Sequence, residues 1–189
     1  MGLYKYLSEA WKHPDPVLLR ERMTAWRQDN VIVRIERPTN LARARALGYR
    51  AKKGFVLVRA RVLRGGRMRE KLKGGRRPKT QRRKKIVNKS YQTVAEERAN
   101  KKFRNCEVLN SYMIAQDGKH DWFEIILVDP QSPDIQRDHK INWITQPQHH
   151  GRAFRGLTSS ARKSRGLRHK GKGSEKIRPS LRAHNRKAH

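Results

Sequence analysis

Several residue types that carry recognisable chemistry are scarce in this sequence of 189 residues. The single cysteine, Cys106, can form neither an internal disulfide nor a cysteine-based zinc site, and we expect a buried, inert thiol. The longest aliphatic run, Ile125–Val128, is far shorter than the roughly 20 apolar residues that cross a bilayer. The N-terminus also lacks the apolar stretch of a signal peptide, so we expect a cytosolic or nuclear protein with no membrane partner.

Acidic residues are scarce as well. The chain has 16 Asp and Glu against 47 Lys and Arg, for a net charge of +31 and a pI near 11.4. A free globular protein with this imbalance repels itself, and a polyanionic partner removes the repulsion. Among nucleic acids, anionic membrane surfaces and acidic proteins, nucleic acids are the usual partners of domains this basic.

The positive charge is concentrated in two segments, the insertion (residues 64–89) and the tail (residues 148–189). Each contains 13 Lys and Arg and one acid, whereas residues 104–147 have a net charge of −3. The tail has only five large apolar residues in 42, too few to offset the entropy lost on folding. We therefore expect both segments to be disordered in the free protein and to order when phosphates neutralise them.

The first part of the chain predicts two helices. Leu3, Leu7 and Trp11 recur on one helical face. Asp15 is a good N-cap and Pro16 suits the first helical position, so a second helix should begin there. Its buried side would consist of Leu19, Met23 and Trp26.

Two strands and a helix follow. Residues 31–36 are rich in β-branched side chains, and residues 41–47 predict a short helix ended by Gly48. Residues 55–62 alternate, with apolar side chains at the even positions and Arg59 and Arg61 on the other face.

The sequence after the insertion predicts a helix and a hairpin. Thr93-Val-Ala-Glu96 matches a capping box, which places a helix start at Thr93. Residues 108–115 and 122–128 flank Asp117-Gly118, a strong turn signal, and Ser132-Pro133-Asp134 begins a short helical turn.

Together these elements predict an α+β fold: a small, mainly antiparallel four-stranded sheet with packed helices, plus long basic non-globular extensions. We expect a single globular domain over residues 1–147, carrying the basic insertion at 64–89. Residues 148–189 would form an RNA-binding tail that is disordered when free.

Motifs for catalysis, metals or cofactors are missing or weak. The sequence has no phosphate-binding P-loop and no dinucleotide-binding glycine motif. Asp117, Asp121 and Glu124 could form a metal site or an acid–base pair, but we favour solvated loop and strand-end charges. His149-His150 has no cysteine or carboxylate at ligand spacing nearby, so RNA contact is favoured over metal binding. We therefore predict no enzyme activity, cofactor, metal or small-molecule substrate.

The basic segments suit RNA backbone recognition. Arginine binds phosphate in a bidentate manner and stacks on exposed bases. Phe154 is the only aromatic residue of the tail, which argues against a single-strand stacking platform. No helix-turn-helix, zinc-finger or basic-zipper pattern supports DNA readout.

Eight stretches of the chain, in order, resemble the archaeal and eukaryotic family of large-subunit ribosomal protein fifteen. They are residues 4–7, 45–52, 59–67, 94–99, 108–112, 122–130, 143–147 and 155–167. The resemblance implies a small α+β body with basic extensions buried against large-subunit ribosomal RNA, with neighbouring ribosomal proteins as further partners and a cytoplasmic location. Residues 70–89 and those after 168 match the eukaryotic members poorly, which favours an archaeal member.

Charge and resemblance together predict one set of RNA-binding residues. In chain order, the set before and within the insertion is Arg43, Arg45, Tyr49, Arg50, Lys52, Lys53, Arg59, Arg61, Arg64, Arg67, Arg69, Arg76, Arg77, Arg82, Arg83, Lys84 and Lys85. In the tail it is His149, Arg152, Arg155, Arg162, Lys163, Arg165, Arg168, Lys170 and Lys172.

Two other functions remain as alternatives. A chromatin or architectural DNA-binding protein would prefer duplex DNA to ribosomal RNA. An RNA-modifying enzyme with a basic tail would lose turnover when one carboxylate is replaced.

Overall fold

The computed structural model describes residues 2–66, 74–75 and 89–168. Within these ranges the α-helices are Leu3–Ala10 (α1), Pro16–Gln28 (α2), Leu41–Ala46 (α3), Tyr91–Lys102 (α4), Pro133–Gln136 (α5) and Ser159–Ser164 (α6). The strands are Ile32–Ile35 (β1), Phe55–Leu63 (β2), Glu107–Gln116 (β3) and His120–Val128 (β4). Two short 3₁₀ helices span Asn142–Thr145 and Pro147–His149. None of the helices in these ranges is long and apolar enough to span a bilayer.

The four strands form one antiparallel sheet in the order β1-β2-β4-β3. The central pair aligns Val58 of β2 with Ile125 of β4. Strand β3 shifts register after Val108 and after Met113, irregularities that are common on edge strands. The predicted α+β class, with its antiparallel sheet of four strands, is confirmed, as is the hairpin around Asp117-Gly118.

Helices cover both faces of the sheet. One face packs against α4 through Val58, Ala60, Ala95, Ala99 and Ile125. The other face packs against α2 and α3 through Trp26, Ala44, Leu57, Trp122 and Ile126. The alternation predicted for residues 55–62 is therefore confirmed. The rings of Trp26 and Trp122 lie 6.1 Å apart between α2 and the sheet.

The local start and stop signals around the first three helices are confirmed. The Asp15 carboxylate accepts a hydrogen bond from the N–H of Val17 at 2.8 Å, and Pro16 lies in the first turn of α2. Gly48 follows α3 with a φ of 102°, a conformation that glycine adopts without steric cost. Helix α1 has no buried residue, and Leu3 on its apolar face is 65% exposed.

The start predicted for α4 was wrong by three residues. The hydroxyl of Ser90, not that of Thr93, is the N-cap, and it accepts a hydrogen bond from the N–H of Thr93 at 3.3 Å. Thr93 and Glu96 lie inside the helix and are buried. Serine and threonine are both favoured N-caps, and the capping-box match at Thr93-Val-Ala-Glu96 pointed to the threonine.

Residues 148–168 form the first part of the segment that was predicted to be a basic tail beginning at residue 148. They lie along β3 and α4, with Ala153, Thr158 and Ala161 buried. The contacts are made by small and hydroxyl-bearing side chains, which a count of large apolar residues overlooks. The rest of the predicted tail, residues 169–189, lies outside the described part of the chain.

Two carboxylates that were interpreted as solvated are in fact buried. Asp121 is 5% exposed and Glu124 is fully buried, because β4 is a central strand covered on both faces. Among the described residues, no group of three or more His, Cys, Asp or Glu is placed to hold a metal ion. Cys106 is buried as predicted, and desolvation raises the pKa of its thiol to about 11.

Candidate nucleic-acid interface

The cations of α3 lie on a short helix whose start is set by Asn40. The Asn40 side-chain oxygen accepts a hydrogen bond from the N–H of Arg43 at 2.9 Å. Arg43 is exposed, whereas the guanidinium of Arg45 lies 5.4 Å from the ring centre of Tyr4. Arg43 can therefore reach a phosphate directly, while Arg45 stacks on α1.

The loop after α3 contains some side chains that contact other parts of the protein and some that are exposed to solvent. Tyr49 is buried, with its ring 6.0 Å from that of Phe55, so the ring is not presented for base stacking. Lys52 forms an ion pair with Asp138. The exposed cations of this loop are Arg50 and Lys53.

Three arginines at or after β2 bind other parts of the body. The guanidinium of Arg59 lies 4.7 Å from the ring centre of Trp26. It also donates a hydrogen bond at 2.6 Å to the carboxylate of Asp29, at the C-terminus of α2. Arg61 donates to the carbonyl of Trp26 at 3.3 Å. Arg64 donates to the carbonyl of Asp117 at 2.7 Å. These side chains fasten α2 and the β3–β4 loop to the sheet.

Asp117 organises the hairpin loop that Arg64 contacts. Its carboxylate accepts hydrogen bonds from the backbone N–H groups of Lys119 at 2.7 Å and His120 at 2.5 Å, and from Nε of Arg27 at 2.9 Å. Desolvation alone would raise the pKa of Asp117, but these donors outweigh it and lower the pKa to about 2. Asp117 is therefore ionised at neutral pH and offsets local positive charge.

The side chain of Arg152 binds the edge of the sheet. It is only 9% exposed and donates to the carbonyls of Val108 at 2.7 Å and Leu109 at 3.2 Å on edge strand β3. Its guanidinium also lies 5.1 Å from the ring centre of Trp143. Burial lowers the pKa of Arg152. The side chain satisfies carbonyls that no neighbouring strand covers.

His149 and Arg155, two further predicted RNA-binding residues near this edge, also have contacts within the protein. His149 packs edge-on against Trp143 with ring centres 4.9 Å apart. Desolvation, and then the charges of Arg152 and Arg155, lower the pKa of His149, which keeps the imidazole neutral at physiological pH. Arg155 donates to the carbonyl of His150 at 2.7 Å.

Helix α6 presents the exposed cations of the segment. The Thr158 hydroxyl caps the helix by accepting from the N–H of Ala161 at 3.3 Å. Ser160 and Ala161 are buried, while Arg162 and Lys163 are exposed. This short helix therefore has one face against the body and one cationic face towards solvent.

The turn after α6 is held by its own arginines. Arg165 donates to the carbonyl of Gly156 at 2.8 Å, and Arg168 donates to the hydroxyl of Ser159. Arg165 is half-buried, and desolvation lowers its pKa, whereas Arg168 remains exposed.

A buried carboxylate lies beneath α6. Glu96 of α4 is fully buried and accepts hydrogen bonds from the hydroxyls of Ser111, Thr158 at 2.5 Å and Ser160 at 2.7 Å. Desolvation raises the pKa of Glu96, while the three hydroxyls and the charge of Arg152 act in the opposite direction. This contact site was not predicted, because the sequence pattern assigned Glu96 to a helix cap.

The two ends of the insertion meet α6 at the start of α4. The Tyr91 hydroxyl accepts from the N–H of Gly65 at 2.7 Å and donates to its carbonyl at 3.1 Å. One residue before Tyr91, the N–H of Ser90 donates to the hydroxyl of Ser164 at the end of α6 at 3.3 Å. The structure therefore brings together two basic regions that are far apart in sequence.

A cavity of about 620 Å³ opens beside this junction, between β2 and α4. Its lining includes Val62, Tyr91, Val94 and the half-buried Arg98. Arg98 was not predicted as an RNA contact, because it lies in a segment of nearly neutral charge. The same holds for the exposed cations Lys101 and Arg104. Only their position on α4 and the loop after it would have indicated them.

The remaining predicted RNA-binding residues fall outside the described ranges. They are Arg67, Arg69, Arg76, Arg77, Arg82, Arg83, Lys84, Lys85, Lys170 and Lys172.

Comparisons with known proteins agree with this architecture. The model of the family described as "Ribosomal L15", the L15e family, matches residues 2–184. The large ribosomal subunit protein eL15 of Methanocella arvoryzae is 50% identical over 189 residues, covering 97% of this chain and 96% of the relative. The eL15 protein of Methanospirillum hungatei is 50% identical over 192 residues, covering 99% and 98%. This chain therefore belongs to the eL15 family of large-subunit ribosomal proteins, as the resemblance predicted, and its similarity to these relatives supports an archaeal member.

Proposed function

We propose that this protein binds large-subunit ribosomal RNA through exposed arginine and lysine side chains and stabilises the folded RNA during translation. The observation that carries the proposal is the exposure of Arg162 and Lys163 on α6, beside both ends of the insertion. Within the described part of the chain, neither side chain has an ion-pair or hydrogen-bond partner. Binding of such groups to phosphates releases condensed counterions and is therefore favourable at low salt.

The family membership supplies the general setting. The protein is a structural constituent of the large ribosomal subunit, which is cytoplasmic in archaea, and it is not an enzyme. Its partners are accordingly ribosomal RNA and other ribosomal proteins. What we propose beyond this is which individual residues contact the RNA.

The predicted cations divide into two groups with different tasks. Arg59, Arg61, Arg64 and Arg152 are used within the protein and hold helices, loops and a sheet edge in place. RNA affinity would depend instead on side chains exposed in the described ranges, together with the basic residues of the insertion and the end of the tail. Outside the first group, the exposed set is Arg43, Arg50, Lys53, Arg155, Arg162, Lys163 and Arg168.

The folded domain would extend further than the sequence suggested. The burial of Ala153, Thr158 and Ala161 supports a body that reaches about residue 168, with the basic tail beginning after it. We expect this body to dock first on RNA and the remaining basic residues to order against phosphates afterwards.

A matched pair of variants tests the proposal. Replacing Arg162 and Lys163 with Ala should weaken binding to deproteinised archaeal large-subunit rRNA and lower the slope of log affinity against log salt by about 2, since each phosphate contact contributes about 0.9. Replacing Arg20 and Arg22, two exposed cations of α2, removes the same charge from another surface and should change both quantities less. Equal losses in the two variants would contradict a localised interface.

The second test asks which nucleic acid is bound. In a cell lysate, the protein should sediment with the large subunit at about one copy per particle and stay there at high salt. Cosedimentation with DNA, or tighter binding of duplex DNA than of ribosomal RNA in vitro, would favour the architectural DNA-binding alternative.

A further inference from the structure

The hydroxyl of Thr158 has two partners that together fix α6. It accepts a hydrogen bond from the N–H of Ala161, which caps the helix, and it donates to Oε2 of Glu96 at 2.5 Å. Ser160, in the first turn of α6, donates to the same oxygen at 2.7 Å. One carboxylate oxygen therefore sets both the position and the rotation of the helix relative to α4.

The carboxylate cannot easily lose these partners. Glu96 is fully buried, and no Lys, Arg or His of the described ranges lies within ion-pair distance of it. A buried carboxylate is costly unless hydrogen bonds replace its water. If α6 left its place, two of the three hydroxyl donors would leave with it, which disfavours that movement.

The orientation that results has a consequence for the opposite face of α6. With Ser160 and Ala161 turned towards α4, Arg162 and Lys163 face solvent. The C-terminal end of the helix lies at Ser164, whose hydroxyl accepts from the N–H of Ser90 at the start of α4. Glu97, the other acid of α4, is already paired with Lys89 at 2.8 Å.

We propose that α6 and the N-terminal end of α4 form one surface for an RNA backbone, and that buried Glu96 is the positioning residue that holds the α6 cations on it. This inference rests on the proposed function, because it takes RNA as the ligand. Glu96 makes no contact with the RNA and acts only through Thr158 and Ser160. The fitting ligand is a run of consecutive phosphates, since the exposed groups are guanidinium and ammonium ions rather than aromatic rings.

A pair of substitutions at Thr158 separates the hydroxyl from the rest of the side chain. Thr158→Val keeps the shape but removes the donor to Glu96 and the cap of α6, whereas Thr158→Ser keeps the hydroxyl. In filter binding to deproteinised archaeal large-subunit rRNA, Thr158→Val should reduce affinity and lower the salt slope by about 1 to 2, the contribution of one or two phosphate contacts. Thr158→Ser should restore both values towards those of the unchanged protein.

A double-mutant cycle shows whether the effect passes through the α6 cations. Arg162→Ala with Lys163→Ala should cost less affinity in the Thr158→Val background than in the unchanged protein, because those cations are already displaced. Equal costs in both backgrounds would overturn the inference while leaving RNA binding by α6 intact. If the cation variant binds RNA as tightly as the unchanged protein, the proposed role of these residues in RNA binding fails instead.

A second buried carboxylate supplies the control for general loss of stability. Glu124 is as buried as Glu96, but its hydrogen-bond partners are Tyr112 and the N–H of Thr39 rather than residues 148–168. Glu96→Gln should expose residues 150–168 to limited proteolysis. Glu124→Gln should leave them protected, even when the two variants have the same free energy of unfolding in the absence of denaturant. The same cleavage in both variants would mean that Glu96 only stabilises the fold.

Discussion

The hydroxyl of Tyr91 and the backbone of Gly65 form two hydrogen bonds, at 2.7 Å and 3.1 Å, across 26 positions of the chain. Tyr91 is the first residue of α4, and Gly65 lies at the start of the insertion, two residues after the end of β2. The contact ties the two ends of the insertion to one point on the body. A cationic segment that leaves and returns at one point can be presented to RNA without disturbing the sheet.

Removing the two hydrogen bonds between Tyr91 and Gly65 should have a local effect. Tyr91→Phe deletes both hydrogen bonds and should lower the free energy of unfolding by about 0.5–1.5 kcal/mol. The N–H of Gly65 should exchange with solvent faster, as measured by hydrogen–deuterium exchange. Tyr4→Phe, at an exposed tyrosine, should change neither quantity. Unaltered exchange at Gly65 in Tyr91→Phe would contradict the role of these two hydrogen bonds.

A larger loss is expected at Tyr112, whose hydroxyl donates to the buried carboxylate of Glu124. Tyr112→Phe removes this donor and leaves the carboxylate its hydrogen bonds with Thr39. A hydrogen bond to a charged group contributes about 1.5–3 kcal/mol. For a chain of this size each kcal/mol shifts Tm by about 2–4 °C, so thermal denaturation should show a decrease of several degrees.

Glycine is required at position 54 for two reasons. Its φ is +86°, and a Cβ there would lie 2.4 Å from Cγ1 of Ile135. Gly54→Ala should therefore lower the free energy of unfolding by about 2–4 kcal/mol through backbone strain and overpacking. Gly118→Ala is the matched control, because a Cβ at that position meets no atom within 4 Å. Urea denaturation of both variants measures the difference, and similar values would contradict the steric argument.

The burial of Glu96 should make stability depend on pH. Burial raises the pKa of this carboxyl above its ordinary value of 4.5, so the folded protein retains a proton that the unfolded chain has released. The stabilisation from the protonated group is fully present below about pH 4.5 and is lost as the pH rises through the higher folded pKa.

Glu96→Gln does not titrate and isolates this contribution. Compared with the variant, the unchanged protein should lose stability as the pH rises above about 4.5, as measured by urea denaturation at a series of pH values. A stability difference between the two proteins that stays constant over this range would show that Glu96 titrates alike in the folded and unfolded states.

Much of the fold could be predicted because its signals act over a few residues. Asp15 and Pro16 start α2 through contacts within one turn, and Asp117-Gly118 closes a hairpin between adjacent strands. The alternation in residues 55–62 reflects which side of a strand each side chain occupies, a property of the backbone itself. Such signals remain readable without knowledge of distant residues.

The start of α4 and the fate of residues 148–168 could not be predicted in this way. The capping-box pattern assigned Glu96 to the cap of Thr93, whereas the Glu96 side chain instead accepts from Ser111 and Thr158 and Ser90 caps the helix. Thr158 and Glu96 are 62 positions apart, so no window of sequence contains both.

The sequence by itself determined that this chain is a polycation with an α+β body, because charge and periodicity are properties of composition and local order. Only the tertiary structure decided which cations face outwards. Arg152 and Arg162 are alike in sequence, yet Arg152 donates to carbonyls of β3 and Arg162 stays exposed on α6. A guanidinium binds a carbonyl or a phosphate with the same donors, and folding decides which of them lies within reach.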